Sequence, residues 1–134
     1  MEISYEAETD KPTVVNLTQH SYFNLSGNFT KTSTDHELQI NADHFLPVNE
    51  TLIPTGEQKA VKGTPFDFTV SKPIGKDISA DDDQLKKGKG YDHNWILNGK
   101  GLRSIAKVYH QGTGRSMEVF TDEPGVPIYL IIQI

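Results

Sequence analysis

The sequence predicts an all-β protein built as an antiparallel β-sandwich. Strand-like segments follow one another at short spacing along the 134 residues, and turn signals separate them, since the chain contains 11 glycines and 7 prolines. Only residues 77–90 offer a helical turn, with an acidic start and a basic end. Roughly eight short strands with turns between them are typical of an antiparallel sandwich. A chain of this length is the usual size of one domain, so we expect a single domain over residues 1–134.

The first predicted element is a hairpin over residues 2–19. In EISYEAE, Ile3, Tyr5 and Ala7 alternate with polar residues, which indicates a strand with one buried face. The turn DKP follows, and TVVNLTQ (13–19) is rich in the β-branched residues that favour strands. We therefore expect these two segments to pair.

The remaining strands are predicted from the same kind of pattern. ELQINADHF (37–45) is expected to form one strand, QKAVKG (58–63) a short strand and YDHNWIL (91–97) another strand. GLRSIAKVYH, the turn QGTG and RSMEVFT together predict a hairpin (101–121). The apolar run IYLIIQI (128–134) is expected to be the last strand.

The composition narrows the classes of partner. The formal net charge is −5, so the chain lacks the basic surface that nucleic acids and anionic membranes attract. No apolar run is long enough to span a membrane. The absence of cysteine excludes disulfides and thiolate metal sites, and it fits a reducing compartment. We expect a cytoplasmic protein, with the periplasm as the alternative, and no nucleic-acid or membrane partner.

The five histidines give no metal-binding pattern. Three of them follow an aspartate directly, at positions 35–36, 43–44 and 92–93. Adjacent residues of a strand point to opposite faces, so such a pair is not expected to chelate an ion. No spacing between histidines matches a metal motif. We therefore expect no metal site, and we expect His36 and His110 to lie on the solvated surface.

His20 stands apart because of its surroundings in NLTQHSYFNLSG (16–27). Hydroxyl and amide side chains supply donors and acceptors there, and Tyr22 and Phe23 supply apolar walls. Such a setting is able to hold a histidine in one tautomer, as a general acid or base requires. From the residue types alone, three roles remain open for His20: a structural hydrogen-bond donor, a metal ligand and a proton-transfer group.

Two further clusters contain a carboxylate. In YDHNW (91–95), Asp92 is suited to accept hydrogen bonds from ligand hydroxyls, and Trp95 presents a flat face on which a sugar ring stacks. The same residues are explained if Asp92 caps a turn and Trp95 belongs to the core. In TDEPG (121–125), Glu123 is either a ligand contact or a solvated turn residue.

Five stretches, taken together and in this order, resemble the aldose 1-epimerases, a family also called galactose mutarotases. They are VNLTQHSYFNLSG (15–27), LPVNETLIPTGE (46–57), VKGTPFDF (61–68), GYDHNWIL (90–97) and MEVFTDEPG (117–125). Their order and approximate spacing match along nearly the whole chain. Several long motifs in family order are far more specific than any one of them.

The resemblance implies a galactose mutarotase-like supersandwich, present here in part, whose broad sheet forms a sugar cleft. It also implies interconversion of the α and β anomers of hexoses such as galactose and glucose. In that reaction a base takes the proton of the C1 hydroxyl, an acid protonates the ring oxygen, and the ring opens. By motif, His20 matches the acid, Asp92 matches a residue that binds sugar hydroxyls, and Glu123 matches a Gln or Glu position against the sugar. No metal and no organic cofactor is implied.

The sequence also departs from the family pattern. The family's catalytic base, a glutamate beyond the TxEPG motif, has no counterpart here, nor have a second histidine and an arginine of the family's active site. After Tyr129 the sequence LIIQI differs from the family's glycine-asparagine turn. We therefore expect an interior-to-late piece of the enzyme with impaired activity and with strand edges that promote self-association. His93 is expected to face away from the sugar, because it follows Asp92.

Two other functions fit the same residues. The first is a non-catalytic carbohydrate-binding module, in which Asp92, Glu123 and Trp95 bind the sugar and His20 only donates a hydrogen bond. The second is a glycosidase that uses Asp92 and Glu123 as a carboxylate pair, which predicts a separation of roughly 5–10 Å between them.

Overall fold

The fold is all-β and antiparallel, as predicted. A computed structural model describes residues 1–131. The strands are β1 Glu37–Ile40, β2 His44–Leu46, β3 Lys59–Ala60, β4 Lys72–Pro73, β5 Gly90–Ile96, β6 Arg103–His110, β7 Arg115–Thr121 and β8 Gly125–Ile131. A 3-10 turn covers Ile74–Lys76, and one helix, α1, covers Asp83–Gly88. The end of the predicted last strand, residues 132–134, lies outside the described residues.

The strands form two four-stranded sheets in which every pairing is antiparallel. The order is β4-β1-β6-β7 in one sheet, called here the β6 sheet, and β3-β2-β5-β8 in the other, the β5 sheet. One apolar cluster contains Leu38 and Ile105 of the β6 sheet together with Phe45 and Trp95 of the β5 sheet. The core therefore lies between the two sheets, which is the predicted sandwich arrangement.

The predicted single strand over residues 37–45 is wrong, because the chain changes sheets within it. β1 pairs with β6, whereas β2 pairs with β5. At the change, Asn41 donates its N–H to the carbonyl of Ile105, and Ala42 is buried. The alternation of apolar residues continues through the bend, so the sequence pattern alone does not reveal it.

Aromatic side chains fill the centre of the core. The rings of Phe45 and Phe66 stack with 4.2 Å between centroids and an interplanar angle of 6°. Trp95 is fully buried, and its indole N–H donates to the carbonyl of Phe66 over 3.0 Å. The hydroxyl of Tyr91 donates to the carbonyl of Pro65, also over 3.0 Å. These bonds satisfy the polar atoms that burial would otherwise leave without partners.

The predicted helical turn is confirmed as α1. Asp82 caps its start, since the carboxylate accepts from the N–H groups of Gln84 and Leu85. Lys86 and Lys87 occupy the last turn, which is the charge order that a helix dipole favours. Lys89 then ends the helix in the left-handed region with φ of 50°. Among residues 1–131, no helix has the length and apolar character required to cross a membrane.

The predicted hairpin over residues 2–19 is wrong. Residues 1–36 contain no strand, and residues 1–23 are exposed throughout. An alternating pattern gives a strand only where a neighbouring strand accepts its hydrogen bonds and a surface covers its apolar face. No described strand pairs with these residues.

Candidate functional site

The β5 sheet has one buried face and one open face. On β5, Tyr91, His93 and Trp95 point into the core and are at most 3 % exposed. Asp92 and Asn94 alternate with them and are partly exposed, as the two-residue period of a strand requires. Asp92 therefore lies on the open face, as expected for a residue that contacts a ligand.

Asp92 lies directly opposite Tyr129 of β8 on this face. Directly opposed residues of antiparallel strands have Cβ atoms roughly 4.5–5.5 Å apart. Within residues 1–131, no protein group donates a hydrogen bond to the carboxylate of Asp92, whose backbone N–H instead donates to Nδ1 of His93. The carboxylate is thus available to accept hydrogen bonds from ligand hydroxyls.

Two tyrosines connect His20 with the face that carries Asp92. The ring of His20 lies 5.3 Å from that of Tyr22, and the ring of Tyr22 meets that of Tyr129 edge to face at 5.8 Å. His20 is exposed, and its ring nitrogens have no hydrogen-bond partner in the described part of the chain. The described structure thus brings His20 and Asp92 to the same side of the β5 sheet, with the imidazole free to meet a ligand.

Glu123 lies in the turn between β7 and β8, and its side chain is exposed. Arg103 holds this turn. Its guanidinium donates to the carbonyls of Asn98, Thr121 and Glu123 over 2.7, 3.0 and 3.1 Å. The backbone of Glu123 is therefore well fixed, whereas its carboxylate faces solvent.

The strand register separates Glu123 from Asp92. Gly125, two residues after Glu123, pairs with Ile96, four residues along β5 from Asp92. Four residues of antiparallel strand span roughly 14 Å. This spacing does not favour the carboxylate pair of a glycosidase, for which the separation is roughly 5–10 Å.

His93 and Trp95 are buried in the core. Nε2 of His93 lies 3.2 Å from Oε1 of Gln84, and the rings of Phe45 and Phe66 contact the imidazole edge-on. Burial lowers the pKa of His93 to about 4, so the ring is neutral. His93 faces away from Asp92, as predicted, and the alternative of a sugar-stacking Trp95 is wrong because Trp95 is fully buried.

The expectation that His36 and His110 are solvated is also wrong. They are 1 % and 8 % exposed, and their rings lie 4.7 Å apart. The carboxylate of Asp35 reaches both of them: Oδ1 lies 2.8 Å from Nδ1 of His36, and Oδ2 lies 3.4 Å from Nε2 of His110. The expectation that adjacent Asp and His side chains point apart fails here because Asp35 belongs to the turn before β1.

These three residues, called here the Asp35 cluster, offer ligand atoms within 4.8 Å of one another. Hydrogen bonds explain the position of His36 beside Asp35 without an ion. Nε2 of His36 accepts from the N–H of Leu25 over 2.8 Å, so the ring proton is on Nδ1, where it points at Asp35. A nitrogen that carries a proton has no lone pair for a metal. The Asp35-His36 dipeptide was visible in the sequence, but the contribution of the distant His110 was not.

Comparison with known proteins identifies the family. The sequence profile described as Aldose 1-epimerase matches residues 1–130. The chain is 47 % identical over 128 residues to the galactose mutarotase of Bos taurus and 46 % identical over 128 residues to that of Homo sapiens. It is 43 % identical over 129 residues to the aldose 1-epimerase of Escherichia coli.

The matches cover most of this chain but a minor part of each relative. They include 95 % of the chain, yet only 36–37 % of the length of these three relatives.

Solved structures agree with the sequence matches. The galactose 1-epimerase from Lactobacillus acidophilus NCFM has a TM-score of 0.53 and 42 % identity, over 57 % of this chain and 23 % of that one. A GalM/aldose epimerase homologue from C. elegans has a TM-score of 0.61 and 26 % identity, over 81 % of this chain and 31 % of that one. The match over residues 1–130 and the shared fold lead to one conclusion: this chain belongs to the aldose 1-epimerase family.

Proposed function

We propose that this chain acts in the interconversion of the α and β anomers of hexoses such as galactose and glucose. The observation that carries the proposal is the arrangement of His20, Tyr22, Tyr129 and Asp92 on the open face of the β5 sheet. It supports the proposal because an imidazole and a carboxylate without hydrogen-bond partners among residues 1–131 lie on one side of a sheet in a member of the aldose 1-epimerase family. No cofactor is part of the proposal.

In this mechanism, His20 is the general acid. It donates a proton to the ring oxygen of the sugar as the bond between C1 and that oxygen breaks, while the C1 hydroxyl loses its proton to a second group and becomes the aldehyde. Rotation about the bond between C1 and C2 then presents the other face of the aldehyde to the freed hydroxyl, and ring closure returns the proton to His20 and gives the other anomer. Asp92 accepts hydrogen bonds from sugar hydroxyls and so fixes the ring beside His20. A positioned acid contributes roughly 10²- to 10⁴-fold to such a proton transfer.

Glu123 is proposed as a second sugar contact of smaller effect. The turn that carries it is fixed by Arg103, which supports a defined position for the backbone of Glu123 just before β8 begins. Because the register separates Glu123 from Asp92, we expect Glu123 to reach the sugar at its far side or through water.

The 134 residues by themselves are proposed to catalyse mutarotation weakly. The reaction needs two proton-transfer groups, and the group that takes the proton of the C1 hydroxyl is not assigned to a residue of this chain.

Polarimetry on freshly dissolved α-D-galactose tests the proposal. The rate is measured with the wild-type chain, with His20→Ala and with His44→Ala, a matched control at an exposed histidine of β2. We expect a rate above the uncatalysed background that is lost in His20→Ala and kept in His44→Ala. An unchanged rate in His20→Ala would remove His20 from the mechanism.

A carbohydrate-binding module without catalysis is the second candidate function. One observation favours it: no described group forms a hydrogen bond with the ring nitrogens of His20. The tautomer that proton transfer requires is therefore not fixed by the described residues. Calorimetry with galactose distinguishes the two functions. Heat of binding without faster mutarotation would support the module, and the absence of binding would exclude it.

Two further assignments complete the proposal. We propose self-association through β8, which is an edge strand of the β5 sheet within residues 1–131 and contains no charged residue that would discourage pairing. Light scattering coupled to gel filtration tests this, and a monomer at all concentrations would contradict it. A cytoplasmic location is proposed because a chain without cysteine fits a reducing compartment, and cell fractionation tests it.

A further inference from the structure

The segment that carries His20 is fixed to the sheets at Leu25, five residues further along the chain. The N–H of Leu25 donates to Nε2 of His36 over 2.8 Å. Its carbonyl accepts from Oγ1 of Thr113 over 2.9 Å and from Nη1 of Arg115 over 3.1 Å. Both backbone groups of one residue are thus held by side chains, although residues 1–23 are exposed and contain no strand.

The side chains that hold Leu25 lie at one end of the β6 sheet. His36 immediately precedes β1, Thr113 lies in the turn between β6 and β7, and Arg115 begins β7. Gly27 allows the guanidinium to pass: it has φ of 72°, and a Cβ built there would lie 2.7 Å from Nη1 of Arg115. The left-handed backbone at this position is the main reason why the motif NLTQHSYFNLSG ends in a glycine, since the end of the flexible Arg115 side chain could move aside.

The Asp35 cluster sets His36 in the tautomer that Leu25 requires. Asp35 accepts from Nδ1–H of His36, which leaves the lone pair of Nε2 for the N–H of Leu25. The hydrogen bond from His36 holds the pKa of the Asp35 carboxyl below its usual value, so this carboxyl is ionised and acts as an acceptor. Nδ1 of His110 lies 2.9 Å from Oγ1 of Thr113, whose own proton points to Leu25.

We propose that His36 is a positioning residue for His20, which it serves by fixing the backbone of Leu25. This inference rests on the proposed function, in which His20 donates the proton. His36 itself does not touch the sugar. Its hydrogen bond fixes the backbone at Leu25, just beyond the exposed residues 1–23. The contact of Tyr22 with Tyr129 then holds His20 from this fixed point.

A bound metal is the alternative use of the same three residues, and the hydrogen bonds argue against it. If Nδ1 of His36 bound an ion, the ring proton would move to Nε2 and point at the N–H of Leu25. Two donors would then face each other in a buried place, which is unfavourable. The observed 2.8 Å distance requires an acceptor at Nε2.

Two substitutions of His36 separate its two hydrogen bonds. In His36→Gln, the amide oxygen takes the place of Nε2 and keeps the acceptor for Leu25. In His36→Asn, the shorter amide keeps the donor to Asp35 and loses the acceptor for Leu25. Thr113→Val is a third variant, which removes the donor to the carbonyl of Leu25. His44→Asn is the control for an exposed histidine.

The test uses nuclear magnetic resonance on the 134-residue chain, with mutarotation measured in parallel. We expect His36→Asn to speed hydrogen exchange of the Leu25 amide about tenfold or more, as loss of one hydrogen bond implies. We also expect it to shift the ring signals of His20 and to lower the mutarotation rate. His36→Gln should keep all three near wild type, and Thr113→Val should change them in the same direction as His36→Asn. Ring nitrogen signals of wild-type His36 should show a proton on Nδ1.

Several results would overturn the proposal: equal exchange of Leu25 in the Asn and Gln variants, His20 signals that do not respond, or a His36 ring with its proton on Nε2. Should His36→Asn fail to fold, Thr113→Val and His36→Gln still decide between the outcomes. If the wild type shows neither galactose binding nor mutarotation while Leu25 and His20 respond as expected, then the proposed function fails but the anchoring of the segment by His36 stands.

Discussion

The ring of Tyr22 packs edge to face on the ring of Tyr129, with 5.8 Å between their centroids. Tyr22 is 69 % exposed and Tyr129 is 47 % exposed, so the pair is not part of the core. Tyr129 is also the residue directly opposite Asp92. The contact therefore joins the exposed segment that contains His20 to the open face of the β5 sheet, and the position of the proposed acid depends on it.

Removal of the Tyr129 ring is expected to weaken galactose binding and to slow mutarotation. An aromatic pair of this geometry is worth about 0.5–1.5 kcal/mol, so we expect Tyr129→Ala to reduce both quantities about two- to tenfold. Calorimetry with galactose and polarimetry measure the two effects. Tyr129→Phe keeps the ring and is expected to behave like wild type; an equal loss in both variants would indicate that the hydroxyl, rather than the contact with Tyr22, is required.

Neutralisation of Asp92 is expected to have a larger effect on affinity. Hydrogen bonds to a charged group contribute about 1.5–3 kcal/mol, so Asp92→Asn should weaken galactose binding about ten- to hundredfold. Glu123→Gln should have a smaller effect, because the register places Glu123 at the other end of β8. Calorimetry compares both with Asp122→Asn, a control at an exposed position in the same turn. A larger loss in Glu123→Gln than in Asp92→Asn would place the sugar at the turn.

Elements whose signals are local were predictable from the sequence. The hairpin of β6 and β7 has alternating strands around QGTG, in which Gly114 takes φ of 69°, a conformation that glycine adopts without strain. The helix α1 has Asp82 at its start and lysines at its end. The prediction that Asp92 and His93 point to opposite faces of β5 also follows from the two-residue period of a strand.

Features that depend on distant parts of the chain were not predictable. The burial of His36 depends on His110 and on Leu25, which lie far from it in sequence. The change of sheets between β1 and β2 depends on which strands happen to be available to pair. The alternation of Ile3 and Tyr5 fits a strand equally well, yet it forms none where no described strand lies beside it. A local pattern shows that a segment is able to form a strand, but the strand forms only where a second strand is available to pair with it.

Stability is expected to depend strongly on the stacked ring of Phe66. This side chain is fully buried and packs on Phe45 at 4.2 Å. Truncation of such a residue costs about 3–5 kcal/mol, so we expect Phe66→Ala to lower the free energy of unfolding by that amount. Urea unfolding followed by the fluorescence of the single tryptophan, Trp95, measures it. Phe29→Ala, at a ring that is 84 % exposed, is the control and should change stability by less than about 0.5 kcal/mol. A small loss in Phe66→Ala would contradict the described core.

Acid is expected to destabilise the fold through His93. Burial lowers the pKa of His93 to about 4 in the folded state, against an ordinary value of 6.5, while the charge of Asp82 opposes the shift weakly. Between these values the unfolded chain binds a proton that the folded chain does not, so stability is fully present above pH 6.5 and declines as the pH falls towards 4. At pH 4.5 the loss from this group should be on the order of 2 kcal/mol.

Urea unfolding at pH 7.5 and pH 4.5 measures this loss of stability in wild type and in His93→Leu, which keeps an apolar side chain in the core. Between the two pH values, His93→Leu should lose less stability than wild type, by about the amount given above. His44→Gln, at an exposed histidine, should retain the full loss. Equal pH dependence in wild type and His93→Leu would show that His93 does not stay neutral in the folded protein.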